Sequence, residues 1–314
     1  MAKDTAPPSV DDMLKSGDLK YGNDPSLAIR WSPFGLPRLD DILGGGLPLG
    51  RNTLFVGDYS SGKTFLAQQA IKAVQKRSGT AAYVDAERSY DSDWFASSGV
   101  DTEKLLVSTP EYGEKAVDIC VALLESCVDI VVLDSIAALI PAIEEEESAE
   151  KFTIGQHARL VAKAFRKITV ANKNSVFIGI NQLRREIGPY GKETYPGGEY
   201  QKYAAHIIMR IKRAEWIKEK TKQGEKRIGF DINIETVKNK VSSPWKDCTI
   251  QFLFNGEIDE MMSNIDYALS KNIIRKAGPY YGYGEIKELG KQALRLKFQE
   301  LPDEYEKMLK ELGD

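Results

Sequence analysis

The sequence predicts an α/β fold: a mainly parallel central sheet flanked by helices, with an N-terminal arm before it and a small C-terminal α/β domain after it. Two observations carry this. Continuous apolar runs at 52–56, 80–84, 129–133 and 175–180 alternate with helix-patterned stretches at 63–77, 113–126 and 155–172. Apolar strands separated by helices indicate a parallel sheet covered on both faces. Between the first strand and the first helix, Gly57, Asp58, Tyr59, Ser60, Ser61, Gly62, Lys63 and Thr64 fill the pattern G-x-x-x-x-G-K-[ST]. Strand, turn and helix are the setting in which that pattern has meaning.

In chain order, residues 1–31 carry Pro7, Pro8, Gly17, Gly22 and Pro25 and one short helical stretch at 10–14, so they read as an arm. Residues 32–256 form the core, a P-loop NTPase. The glycines of the 57–64 loop let successive N–H groups face phosphate oxygens, and the helix behind presents its positive end to the same anion. Lys63 is placed to reach the β- and γ-phosphates of ATP, and Thr64 to hold Mg²⁺. A plain glycine turn would need neither.

The next strand runs into Asp85 and Glu87. Glu87 is a candidate for polarising an attacking water, and reads equally well as a capping or salt-bridging acid. The strand 129–133 ends in Asp134. A strand-end carboxylate can cap the following helix, but with a P-loop upstream the Mg²⁺ role is favoured. The strand 175–180 ends in Asn181 and Gln182, followed by a Gly/Pro-rich segment to 198. A strand-end amide can sense a γ-phosphate, and an attached loop can order in response or be mere surface. Stretches at 203–213, 228–238 and 248–254 read as antiparallel strands. Beyond 257, helices interrupted at 278–284 indicate the C-terminal domain, 257–314.

The 314 residues suit one large domain and a small one. No apolar run approaches the roughly 20 residues that span a bilayer, and 1–10 is unlike a signal peptide, so a cytoplasmic protein is expected. Cys120, Cys127 and Cys248 lack metal-site spacing and read as reduced core thiols. The formal charge of −3 hides an uneven distribution: 202–247 holds twelve Lys/Arg against six Asp/Glu, while 144–147 is four glutamates. Charge runs of this kind also occur on merely solvated faces.

In order, GDYSSGKT, YVDAE, VVLDSIAAL, INQLR, a Gly-Gly loop and VKNKVSSPWK resemble the RecA-type recombinases of bacteria and phages over roughly 32–283. The first and third motifs are shared by P-loop ATPases at large; Asn181-Gln182 and Lys238-Asn239-Lys240 are far more specific. The resemblance implies a DNA-dependent ATPase that forms a helical filament on single-stranded DNA, pairs it with homologous double-stranded DNA and exchanges strands. It makes Glu87 the catalytic glutamate, Gln182 the link from γ-phosphate to the second DNA loop, and Lys238 and Lys240 the pair that reaches a neighbouring subunit's γ-phosphate. Asp91, Trp94 and Phe254 fall where the family meets the nucleotide. Two DNA loops are implied, at 144–154 and 184–198. Ile154 and Ile187 align as wedges between bases, and Arg159, Arg166, Arg184, Gly197 and Gly198 as phosphate contacts. Further partners of such a filament are a single-strand-binding protein and loader proteins.

The chain departs from the family pattern in its acidic first loop, in Glu186 at an expected basic position, in Trp94 for tyrosine and in Tyr203 for the phenylalanine that bridges subunits. Glu186, together with a second loop one residue shorter than the family's, predicts weaker DNA affinity. Other functions on the same fold are a motor or regulatory ATPase assembled on protein, a hexameric helicase, or a mediator with incidental hydrolysis. The lysine pair and the loop 184–198 favour the recombinase.

Overall fold

Alternation within the apolar strands decides which side chain packs on which face. The computed structural model describes residues 9–142, 155–185, 193–221 and 224–313. In β3 (Arg51–Gly57), Phe55 enters one buried cluster while Leu54 and Val56 enter another, as the two-residue period requires. The same division recurs in β4 (Ala81–Asp85), β6 (Ile130–Asp134) and β7 (Val176–Gln182).

These strands lie in an eight-stranded sheet with the short pieces β1 (Trp31–Ser32) and β2 (Leu47–Pro48) outside it. Its order is β12-β11-β10-β3-β7-β6-β4-β5, where β5 is Leu105–Ser108, β10 Ile207–Thr221, β11 Gly224–Asn239 and β12 Asp247–Leu253. The sheet is parallel from β5 to β10, and only β11 and β12 are antiparallel. A two-stranded pairing of β8 (Arg184–Arg185) with β9 (Glu193–Thr194) stands apart.

Helix α3 (Lys63–Lys76) feeds Phe65, Leu66 and Ile71 to the Phe55 cluster. Helices α5 (Gly113–Glu125) and α6 (Gln156–Ala171) feed Cys120, Leu124, Phe165 and Ile168 to the Leu54 cluster. Of the other helices, α1 (Val10–Ser16) and α2 (Pro37–Leu43) precede α3, and α4 (Ser92–Ser97) lies between α3 and α5 in the chain. Phe55 is fully buried, and Phe55→Ala would cost about 3–5 kcal/mol in transfer and cavity terms.

The chain divides into two compact units, Met1–Arg30 and Trp31–Asp314. In the first, Ser9 and Asp12 form a reciprocal capping box that starts α1, and Gly17 ends it at φ 82°. Among the described residues of this unit, none is buried.

Toward the C-terminus of the larger unit, β13 (Arg275–Ala277), β14 (Tyr280–Tyr283) and β15 (Ile286–Leu289) make a three-stranded sheet from the glycine-rich interruption. After α7 (Tyr200–Ala204) come α8 (Glu260–Ser270), α9 (Lys291–Glu300) and α10 (Pro302–Gly313). They surround a third cluster containing Ile265, Leu294, Phe298 and Met308.

Three local expectations need correction. Cys120 and Cys248 are buried, but Cys127 is exposed, at the left-handed turn (φ 57°) that follows α5. The strand expected from 203 begins at Ile207, because 200–204 forms the short helix α7. The β10–β11 hairpin also runs well past its apolar part, where the guanidinium groups of Arg213 (4.9 Å) and Arg227 (4.5 Å) both stack on the Trp216 ring. Stacking of this kind holds charged residues in strands without apolar alternation.

Candidate functional site at the strand ends

Register brings the site together. In the β3–β7 pair Gly57 lies opposite Gln182, in the β4–β6 pair Asp85 lies opposite Asp134, and in the β6–β7 pair Leu133 lies opposite Gly179, so β3 and β7 run slightly past β4 and β6 at a shared edge. Open α/β sheets bind ligands at this edge.

The loop from β3 to α3 is shaped by its glycines. Gly62 has φ 95° and is so close to Ile232 that a Cβ would lie 2.5 Å from Cδ1; only glycine fits both the angle and the space. No side chain caps the start of α3, which leaves its first N–H groups facing outward. Among the described residues, the buried hydroxyl of Ser61 has no partner. Lys63 curls back, its Nζ donating to the carbonyls of Gly57 (3.1 Å) and Asp58 (2.6 Å). Burial lowers the Lys63 pKa, and the nearby Asp134 and Glu87 charges oppose that.

Asp134 is nearly fully buried and accepts two hydroxyl hydrogen bonds on one oxygen, from Thr64 Oγ1 (2.7 Å) and Tyr83 Oη (2.8 Å). Desolvation pushes its pKa up to about 6, against the pull of those two bonds, and the Glu87 charge adds to the rise. Glu87 itself is held by a hydroxyl donation from Ser135 to Oε1 and by Gln182 Nε2 at 3.4 Å to the same oxygen. The turn carrying Glu87 is pinned by the fully buried Asp85, which accepts from the backbone N–H groups of Glu87 (3.1 Å) and Tyr90 (2.7 Å).

The structure thus brings Lys63, Thr64, Glu87, Asp134 and Gln182 together. Tyr83, Asp85 and Ser135 were missed. The signal available for Tyr83 and Asp85 was their i,i+2 spacing in a strand that is otherwise apolar.

Asp91 caps α4 by accepting from the Trp94 N–H at 2.7 Å. Trp94 (40% exposed) stands edge-on to Phe252 at 6.2 Å, and Phe254 (46% exposed) meets the same ring at 5.9 Å. Trp94 and Phe254 therefore flank Phe252. Tyr59 is fully open to solvent, and Asp58 and Ser60 are also exposed.

Lys238 and Lys240 lie elsewhere. In register, Lys238 is level with Ile208 and thence Leu54, and the Lys240 N–H donates to His206, whose N–H donates to Asn52. Leu54 and Asn52 precede Gly57 by three and five residues, about 10–16 Å along a strand. Both ammonium groups donate to backbone carbonyls at the end of α7: Lys238 to Lys202 and Tyr203 (3.3 Å to the latter), Lys240 to Tyr203 (3.2 Å). Burial, then the Lys240 charge, pulls the Lys238 pKa down to about 8. Tyr203 is 73% exposed.

Of the residues expected to meet DNA, Arg159 and Arg166 are exposed two turns apart on α6, the latter 5.3 Å from the Tyr200 ring. Gly197 and Gly198 (φ 88° and 76°) press against that helix, where a Cβ would lie 2.6 Å from Val161 Cγ2 and 3.1 Å from Ala158 Cβ. Arg184 is exposed on β8, opposite Thr194. Ile154, Ile187, the loop 144–154 and residues 186–192 lie outside the described residues. Among the described residues, no helix is long and apolar enough to cross a membrane.

The family pattern of the RecA N-terminal domain matches residues 10–259. The chain is 39% identical over 308 residues to Protein RecA of Acidothermus cellulolyticus, covering 95% of this chain and 88% of that protein. It is 36% identical over 323 residues to Protein RecA of Lactobacillus johnsonii, covering 98% and 89%. It is 37% identical over 318 residues to Protein RecA of Lactobacillus delbrueckii subsp. bulgaricus, covering 96% and 95%. With a P-loop, a strand-end carboxylate pair and Gln182 assembled on a mainly parallel sheet, this chain belongs to the RecA family of ATP-dependent DNA recombinases.

Proposed function

We propose that this chain, a cytoplasmic protein, polymerises on single-stranded DNA with ATP between subunits, pairs that strand with homologous duplex and exchanges strands. The observation that carries the interfacial reading is the separation of Lys238 and Lys240 from the group around Lys63. Charges needed at the γ-phosphate but placed toward the far edge of the sheet are suited to a neighbouring subunit's nucleotide, in the manner of an arginine finger.

Within one subunit the loop amides and Lys63 grip the phosphates, and Trp94 and Phe254 offer faces to the base, with Asp91 beside them. The oxygen donors Thr64 and Asp134 suit Mg²⁺, and a buried carboxylate with a raised pKa beside Glu87 is an environment that a divalent cation relieves. Thr64 and Asp134 would hold the ion, which would supply neutralisation of phosphate charge. Both contacts to Glu87 fall on Oε1, which leaves Oε2 to orient water and take its proton. Water bonds to the γ-phosphorus as the bond to the β-phosphate bridging oxygen breaks.

Gln182 reports the γ-phosphate to the second loop. Arg159, Arg166, Arg184 and the Gly197-Gly198 amides then hold phosphates, with Ile154 and Ile187 as wedges. The arm docks on the adjacent subunit, and residues 257–314 act as an accessory domain. A single-strand-binding protein and loaders are further partners in this reading.

The test is ATP hydrolysis with and without unstructured single-stranded DNA, across salt and protein concentration. Phosphate contacts predict strong, salt-sensitive stimulation that rises cooperatively with protein. Absence of stimulation under every condition would move the reading to an ATPase directed by protein partners.

A further inference from the structure

Two fully buried side-chain amides meet where the second loop rejoins the core. Asn181, next to Gln182 on β7, donates through Nδ2 to the Pro196 carbonyl (2.9 Å) and to Gln201 Oε1 (2.7 Å). Gln201, on α7, donates through Nε2 to the carbonyls of Pro196 (2.6 Å) and Gly198 (2.9 Å). Proline has no N–H, so its carbonyl is the one backbone polar handle at that residue, and both amides take it.

Burying two amides without partners would be costly, and an apolar side chain of similar volume would fill the space without fixing any backbone atom. A satisfied pair instead specifies a single loop geometry. The geometry it fixes is the one that presses Gly197 and Gly198 onto Val161 and Ala158, beside Arg159. The same five-residue helix supplies the Lys202 and Tyr203 carbonyls that hold Lys238 and Lys240. Both nucleotide sites in which a subunit takes part therefore converge on α7.

We propose that Gln201 is a positioning residue: it locks the exit of the second DNA loop to Asn181, so that the state of the γ-phosphate read by Gln182 sets the grip on DNA. This rests on the recombinase reading above. The decisive quantity is the ratio of affinities for labelled oligo(dT) measured with a non-hydrolysable ATP analogue and with ADP.

In the unaltered protein that ratio is expected to exceed tenfold. In Gln201→Leu it should fall below threefold, through loss of affinity in the analogue-bound state alone, with binding of a fluorescent ATP analogue unchanged within twofold. Uniform destabilisation would not remove the nucleotide dependence selectively. A ratio near one in the unaltered protein sinks the recombinase reading and this inference together. A large ratio retained by a folded Gln201→Leu sinks the inference alone. Should that variant not fold, hydrogen exchange on the unaltered protein decides: the amides of 193–201 should be protected at least tenfold more with the analogue than with ADP, without DNA, and equal exchange overturns the proposal.

Discussion

At the carboxyl ends of β3, β4, β6 and β7, the side chains of Thr64, Glu87, Asp134 and Gln182 are already tied into hydrogen bonds around Lys63, while Lys238 and Lys240 donate to backbone carbonyls of α7. The first group is placed by strand register, with Lys63 and Asp134 buried and Glu87 and Gln182 exposed. The second sits beside an exposed tyrosine, in the direction of the other sheet edge. A single chain thus carries a finished phosphate grip and a pair of cations that its own geometry does not bring to it. In the proposed reading that division would couple hydrolysis to assembly, because the charge that stabilises the transition state would arrive with the next subunit.

The comparison breaks most sharply if the lysines act on their own nucleotide. Lys238→Gln is expected to lower DNA-stimulated hydrolysis by about 10³-fold or more, the scale of an arginine finger, with nucleotide affinity of isolated subunits unchanged. Glu87→Gln should lower hydrolysis by about 10²–10³-fold while single-stranded DNA binding stays within twofold. Mixing the two inactive variants equally sharpens the test. In a head-to-tail assembly about a quarter of the interfaces would combine an intact Glu87 with an intact lysine pair, so activity should recover to about that fraction. No recovery would place the lysines in the wrong half.

A smaller effect separates base recognition from phosphate recognition. Trp94→Ala removes an exposed ring worth about 1–1.5 kcal/mol of stacking, so nucleotide affinity measured by calorimetry should fall about tenfold. Hydrolysis at saturating ATP should be little changed. An unchanged affinity would assign the base to Phe254 alone.

What the sequence made legible is the half that lies along single strands. Apolar runs ending in Asp85, Asp134 and Gln182 point to one sheet edge, and the 57–64 pattern is local by nature. Pairings across strands were not legible: Tyr83 to Asp134, Ser135 to Glu87 and Gln201 to Asn181 depend on register and on which face a residue takes. A five-residue helix such as α7 is too short to show a period, and the charged half of the β10–β11 hairpin has no alternation to show. Cys127 was misread because a left-handed turn turns it outward, in a stretch whose composition alone looks like core. The placement of Lys238 and Lys240 far from Lys63 followed from the fold, whereas their role came from the family resemblance.

The smallest expected effect is a pH dependence confined to the lysine half. The Lys238 pKa in the single chain is lowered from 10.5 to about 8, by burial first and the Lys240 charge second. Below pH 8 the ammonium is charged in both folded and unfolded chains, and the cost of burying it is fully present. Between pH 8 and 10.5 the folded chain binds fewer protons than the unfolded one, so this group's contribution to stability rises with pH across that window. Assembly reverses the sign: an anionic γ-phosphate from a neighbour favours the charged form, so joining subunits takes up a proton above pH 8. Assembly driven by a non-hydrolysable ATP analogue, followed by light scattering, should therefore weaken as pH rises from 8 to 10, by up to about tenfold per pH unit from this group. Lys238→Gln should flatten the alkaline limb of any residual assembly, and an identical limb in that variant would show that the titrating group is not Lys238.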